Sequence, residues 1–262
     1  MKLRPLALAA LGCALVFQTA ASAQVSERKD APASLSPEAL AVKRPKAPFD
    51  LTGVWQQDLK PRDGVKQSFQ FGPPYPKFKE AGQKAQAEAK AAAAAGEAYR
   101  DDIGHCYPAG MPVIMTRVWP IGMIQKPTVI WMVHAFMNSF RAIYLDGRQH
   151  TDPDILVGSY NGESIGKWDK DTLVIDTIGF ETSHHWIDNG LPVSDQFHMV
   201  EKVKMVDKDT LQWTYIMTDP ENWEGEWTSV KYFTRRNMEI PEVECTPDLN
   251  QHITATQSHQ TR

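Results

Sequence analysis

The sequence predicts an all-β protein, a single antiparallel barrel of about eight strands with one alanine-rich helix outside it. Two observations lead there. Residues 164–168 and 172–180 read as two strands joined by the turn Asp169-Lys170-Asp171, rich in the β-branched residues that suit a pleated surface. The turn Trp168-Asp169-Lys170-Asp171-Thr172-Leu173 is echoed by Val206-Asp207-Lys208-Asp209-Thr210-Leu211, again between strand-like runs. Tandem hairpins of this kind argue for a meander rather than βαβ units. Closing such a meander removes its exposed edges, and eight strands leave room for one small ligand.

Residues 1–23 have the pattern of a secretory signal: Lys2 and Arg4, then an apolar run, then Ala21-Ser22-Ala23 before Gln24. The run is too short to span a membrane. Export to the periplasm, or secretion, is the expectation, with Cys13 offering a fainter lipoprotein alternative. Residues 24–48 carry four prolines and few large apolar groups, and read as a flexible linker. The barrel domain is expected over 49–250, with a disordered tail at 251–262.

Leu51-Thr52-Gly53-Val54-Trp55 opens the first strand. Residues 77–99 contain the alanine run 91–95 and are expected as a helix on the outside. Strand-like runs come next at 129–136, 140–145, 164–168, 172–180, 196–205, 211–217 and 228–234, with turns at Asp146-Gly147, Asn189-Gly190 and Asp219-Pro220. Beyond the leader, the cysteines are Cys106 and Cys245; an oxidising compartment would allow one disulfide between them, and two buried thiols are the alternative.

The net charge of −4 comes with no basic stripe, which gives no reason to expect nucleic acid as a partner. Phosphate-binding glycine loops are missing, and Gly162-Glu163-Ser164-Ile165-Gly166 has its second glycine one position too far for a hydrolase elbow, so no cofactor is expected. The segment Glu181-Thr182-Ser183-His184-His185-Trp186-Ile187-Asp188 lies on a rim after a strand. Without HExxH or repeated ligand spacing, His184 or His185 reads as an acid–base or solvated residue, with His185 the one carried forward, and no metal site is expected; His150 is similarly placed.

Alternation along the strands places five ionisable residues on apolar faces: His134, Arg141, Asp176, Glu201 and Asp219. A buried charge costs several kcal/mol unless paired. Either Arg141 pairs with Glu201 or Asp176 to fix the barrel, or these groups form the polar floor of an apolar pocket. The two readings are compatible.

Leu51-Thr52-Gly53-Val54-Trp55 is similar to the G-x-W opening strand of lipocalin-like (calycin) barrels. A second resemblance rests on Cys106-Tyr107-Pro108-Ala109-Gly110, Asp146-Gly147-Arg148-Gln149-His150, Gly162-Glu163-Ser164-Ile165-Gly166-Lys167-Trp168, residues 171–180, Ser194-Asp195 and Glu201. Together they resemble a family of exported bacterial proteins of largely uncharacterised function, over roughly residues 50–250. Here Asp169-Lys170 stands where that family usually has Glu-Gly, and Glu201-Lys202 where it has Glu-Arg. The resemblance implies a fold and export, and no reaction.

The functional expectation is an exported barrel that binds a small hydrophobic or aromatic molecule and acts as a cofactor-independent acid–base enzyme: an isomerase, lyase or hydratase. Glu201, Asp176 or His185 would move the proton and Arg141 or Arg148 would steady developing charge. His134, Tyr144, Arg148, Trp168, Trp213 and Tyr215 are the expected ligand contacts. The alternatives are a non-catalytic carrier and an interaction protein using the outer helix.

Overall fold

The computed structural model describes residues 32–62, 64, 66–96, 103–187 and 190–246, and the barrel belongs to the unit that begins at Ser34. The expected signal segment, the start of the expected linker, Asn189 of one expected turn and the expected tail lie outside the described residues.

Within the expected linker, Ser36 accepts a hydrogen bond from the Ala39 amide at 3.1 Å and starts a short helix, α1 (Pro37–Ala41). The chain continues through β1 (Gly53–Gln57), β2 (Lys77–Phe78), α2 (Glu80–Ala94), a single 3-10 turn (Val113–Thr116), β3 (Ile121–Gln125) and β4 (Val129–His134). Then come β5 (Ser139–Tyr144), β6 (Glu163–Asp169), β7 (Thr172–Ile178), β8 (His198–Asp207), β9 (Thr210–Thr218), β10 (Trp223–Glu224) and β11 (Glu226–Arg236).

Nine of these strands close a barrel in chain order, β1-β3-β4-β5-β6-β7-β8-β9-β11, with β11 pairing back to β1. The expected closed barrel, lipocalin-like in running its strands round in sequence, is therefore the fold. Two details differ from expectation. The additional strand is β3, whose short run is interrupted by Gly122, so β-propensity marks it weakly. The C-terminal segment crosses there: a Cβ on Gly122 would lie 2.0 Å from Ile240 Cδ1, and that side chain would have to turn aside.

The other difference comes from the count. Strands that alternate in direction can close a ring only in even number, so nine require a parallel pair. That pair is β5–β6, matched only at Ile143↔Ser164 and Tyr144↔Ile165, with residues 145–162 carrying the chain back. The barrel is thus antiparallel except at this seam.

Alternation fills the interior. β9 turns Leu211, Trp213, Tyr215 and Met217 inward, and β8 turns in Met199, Glu201 and Val203. At the end where β7 begins, Leu51 and Phe49 close the barrel, Phe49 edge-on to Trp168 with ring centroids 4.9 Å apart. At the opposite end, residues 103–116 cover the mouth. Met111 donates its amide to the Tyr160 carbonyl at 2.8 Å, and Val113, Ile114, Met115 and Thr116 are all buried. Gly110 permits this close approach, since a Cβ there would lie 2.5 Å from both the Tyr160 carbonyl oxygen and His185 Nε2. Cys106 in this segment is joined by a disulfide to Cys245 in the C-terminal segment, across 139 residues of sequence.

The alanine-rich helix is shorter than the expected 77–99. Lys77–Phe78 pairs instead with Trp223–Glu224, and Gly96 in left-handed backbone terminates α2 by donating to the Ala93 carbonyl at 3.2 Å. α2 docks through Gly82, where an added Cβ would meet the Asn222 carbonyl oxygen at 2.5 Å. Asn222 cannot yield easily, because its side chain bonds the buried Asp219 carboxylate at 2.8 Å. Gly82→Ala should therefore lower stability by about 1–3 kcal/mol despite alanine's better helix propensity. A urea melt that shows no loss would mean that α2 is free to shift.

Candidate functional site

The pleat of β5 to β9 brings five polar side chains to one level inside the barrel. β5 points Arg141 inward between Phe140 and Ala142, β6 points Ser164, β7 Thr177, β8 Glu201 and β9 Trp213. Arg141 donates from Nε to Ser164 Oγ at 3.0 Å and from Nη2 to Thr177 Oγ1 at 3.0 Å. Its two terminal nitrogens grip Glu201 as a fork, Nη1 to Oε1 at 3.1 Å and Nη2 to Oε2. Trp213 Nε1 donates to Glu201 Oε1 at 2.9 Å, and Ser164 and Thr177 hydroxyls bond each other at 3.1 Å. The remaining Nη1 hydrogen points to Met111 Sδ at 3.7 Å, a weak acceptor delivered by the segment that covers the mouth. Arg141 and Glu201 side chains are 0% exposed.

Two neighbours have polar atoms with no hydrogen-bond partner among the described residues: His134 Nε2 and the Tyr215 hydroxyl. Burial, then the Arg141 charge, pushes His134 down to about 3, so its imidazole is neutral near pH 7. Burial, then the Glu201 charge, pushes the Tyr215 phenol well above its ordinary value. The side-chain amide of buried Gln67 likewise has neither atom paired. Gln67 begins a segment that enters beside Tyr215, with Phe71 edge-on to the Tyr215 ring at 5.2 Å. Lys231, inward on β11, holds this segment by donating to the Ser68 carbonyl at 3.0 Å and to that of Gln70.

Of the residues expected from the sequence, Glu201, Arg141, His134, Trp213 and Tyr215 share this interior. Asp176 does not. It shares a face with Val174 and Ile178, as expected, but that face is the outer one; Leu173, Ile175 and Thr177 point in. Tyr144 and Arg148 are also outside, the guanidinium 3.6 Å from the tyrosine ring centroid and bonded from Nε to Asp146 at 2.9 Å. Trp168 caps the far end against Phe49. His185 is buried at the mouth, with Nδ1 2.6 Å from the Glu181 carbonyl oxygen and its ring against Tyr160 and Phe180. Burial holds it below the usual histidine range. Sequence reasoning missed Ser164, Thr177, Lys231 and Met111.

On the outside of the same strands lies a chain of alternating acids and histidines. His150 Nδ1 is 3.0 Å from Glu163 Oε2 and its Nε2 is 2.9 Å from Asp176 Oδ1; Asp176 Oδ2 is 3.1 Å from His198 Nε2. Thr151 adds amide and hydroxyl bonds to Glu163 at 2.8 and 2.7 Å. Partial burial raises Glu163, but these bonds and His150 outweigh it and hold its carboxyl below the usual range. The His198 bond holds Asp176 low, and Asp176 in turn raises His198. Among the described residues, no group of three or more His, Cys, Asp or Glu is arranged to hold a metal ion, and no helix is long and apolar enough to cross a membrane.

No protein-family model matches the chain, and no curated protein matches it. Among solved structures, the chain is similar to a point mutant of the fluorescent protein UnaG at 11% identity, over 72% of this chain and 97% of that one, with a TM-score of 0.32. At that score the likeness carries no argument, and the barrel rests on its own strand pairings.

The geometry sets two expected outcomes. Glu201→Gln leaves the Arg141 guanidinium buried without a counter-charge, and should cost about 3–5 kcal/mol in a urea melt at neutral pH; an unchanged melt would remove the ion pair as a structural element. On the outside, a raised His198 contributes stability fully present below its unfolded value of about 6.5, and lost as pH rises through the higher folded value. The lowered Asp176 contributes above about 3.9 and loses this as pH falls through its lower folded value. His198→Gln should thus destabilise most between about pH 4 and 6.5. With the His198 side chain 40% exposed, solvent screening limits the effect to under about 1 kcal/mol. A deficit that instead grows at alkaline pH would reverse the assignment.

Proposed function

We propose that the protein is an exported, lipocalin-like binding protein that takes a small hydrophobic or aromatic molecule into the barrel, at the level of Arg141. The observation that carries this reading is the pair of unpartnered buried polar atoms, His134 Nε2 and the Tyr215 hydroxyl, beside a guanidinium whose last hydrogen meets only a thioether. Leaving such groups unsatisfied costs roughly 1–3 kcal/mol each, and a ligand with polar atoms would satisfy them. The aromatic surfaces of Trp213, Tyr215 and Phe71 would hold its apolar body.

In the folded barrel this level is filled, with Met111, Trp213, Tyr215 and Glu201 all at 0% exposure, so binding requires residues 103–116 to move aside. They form a loop and one 3-10 turn, not a barrel strand, and are the part of the interior that can leave without breaking the sheet. Their covalent anchor is Cys106–Cys245.

Carriage is better supported than acid–base catalysis. Both Glu201 oxygens accept from Arg141, and Oε1 accepts from Trp213 as well, so this carboxylate is held as the counter-charge of a buried guanidinium and is a poor base. His134 is too weak a base at about 3, and Asp176 faces solvent. Export is supported by the leader-like residues 1–23 and fits a disulfide-bonded chain.

The test uses protein recovered from the periplasm or medium and shown by sequencing to begin at Gln24. Titrated with neutral naphthalene derivatives, it should show saturable quenching of tryptophan fluorescence. Association should be faster, at least threefold, in a Cys106→Ser/Cys245→Ser variant. An intact leader on the folded product defeats export. No saturable binding by either form defeats the internal site.

A further inference from the structure

The geometry points to a neutral ligand, one that presents a single uncharged oxygen acceptor, a ketone, ester, ether or hydroxyl, to Arg141 Nη1 in the place held by Met111 Sδ. This rests on the internal-site reading and names the chemistry that site selects.

A guanidinium carries five hydrogens. Four of those on Arg141 go to oxygen: Ser164 Oγ, Thr177 Oγ1 and the two oxygens of Glu201. The fifth, on Nη1, reaches only sulfur, at 3.7 Å. A thioether is a poor acceptor for a charged donor, so an oxygen in its place forms the stronger bond. Met111 sits on the mouth-covering segment rather than on a strand, so the same movement that admits a ligand exposes this hydrogen.

The choice between neutral and anionic oxygen depends on what else Nη1 holds. It already donates to Glu201 Oε1 at 3.1 Å. Two acceptors on one nitrogen lie only a few ångströms apart, so an anionic oxygen here would face the Glu201 carboxyl at close range in a dry interior. The fork from Glu201 also balances the Arg141 charge, and adding an anion would leave a buried charge in excess. Lys231 does not supply the balance at this point, since its ammonium is directed to the carbonyls of Ser68 and Gln70. The surrounding groups suit a neutral guest. The Tyr215 hydroxyl can donate or accept, and His134 Nε2 is one more polar atom in want of a partner.

Three probes of one shape separate the possibilities: 2-acetonaphthalene, which has a neutral acceptor; 2-ethylnaphthalene, which has none; and 2-naphthoate, which is anionic. Each is titrated into the full mature protein and into the Cys106→Ser/Cys245→Ser variant, read by tryptophan fluorescence. The ketone should bind at least tenfold tighter than either of the others, as expected for one hydrogen bond to a charged donor. Its carbonyl stretch should move to lower wavenumber on binding. Met111→Leu, which keeps the bulk but removes the sulfur contact, should tighten the ketone by about threefold by removing the group that competes for Nη1. Naphthoate matching the ketone overturns the neutral choice, and ethylnaphthalene matching it overturns the oxygen contact. If none of the three binds to either form, the internal site itself falls and takes this inference with it.

Discussion

A ring of nine strands that runs round in chain order must contain one place where two neighbours point the same way, and that place is its weakest join. Here it lies between β5 and β6, where only two residue pairs match before the strands part. The Arg141–Glu201 fork spans this join. Arg141 stands on β5, its first bond crosses directly to Ser164 on β6, and its others continue to Thr177 on β7 and Glu201 on β8. Trp213 extends the line to β9. Side chains thus supply cross-strand bonds where the backbone ladder is shortest, and they do so at a depth where water cannot compete.

The outer surface repeats the solution with different chemistry. In a pleated strand successive residues face opposite ways, so Glu163 and Asp176 point out where Ser164 and Thr177 point in. His150, on the connection that leads from β5 to β6, places one ring nitrogen on the β6 carboxyl and the other on the β7 carboxyl. Asp176 then passes the contact to His198 on β8. The same three strands are tied twice, once dry and once wet. This accounts for the run Asp146-Gly147-Arg148-Gln149-His150. Gly147, in left-handed backbone, turns the chain; Arg148 folds back on Asp146 and Tyr144; His150 fastens the connection to the sheet.

How much of this is legible in the sequence depends on how one-sided each strand is. β8 alternates cleanly, Met199, Glu201 and Val203 against His198, Lys202 and Lys204, so the burial of Glu201 can be read directly. Arg141 and His134 obey the same logic. β7 is apolar on both faces, with Leu173 and Ile175 on one side and Val174 and Ile178 on the other, so alternation alone cannot say which side faces in, and it misplaces Asp176. Ser164 and Thr177 escape notice because small hydroxyls sit equally well on either face. Met111 cannot be found at all, since its role comes from a loop docking at the mouth. The parallel seam is hidden for a related reason: β3 has too few strand formers around Gly122 to be counted, and eight strands would need no seam.

The buried pair does not by itself distinguish a structural barrel from a binding one. A barrel can be closed with apolar side chains, and replacing a buried ion pair by well-packed hydrophobic residues is often neutral or stabilising. The seam gives Arg141 and Glu201 a structural use, because it needs bonds across strands that the ladder does not provide. It gives none to His134 Nε2 or to the Tyr215 hydroxyl, which bond nothing among the described residues. A phenylalanine at position 215 would fill the space without the desolvation cost of a hydroxyl. These two groups, rather than the charged pair, are what a purely structural role leaves over, and they lie on the interior level that Met111 covers without offering a strong acceptor. The ion pair ties strands across the seam; the unpaired neutral groups around it are those that the proposed guest would satisfy.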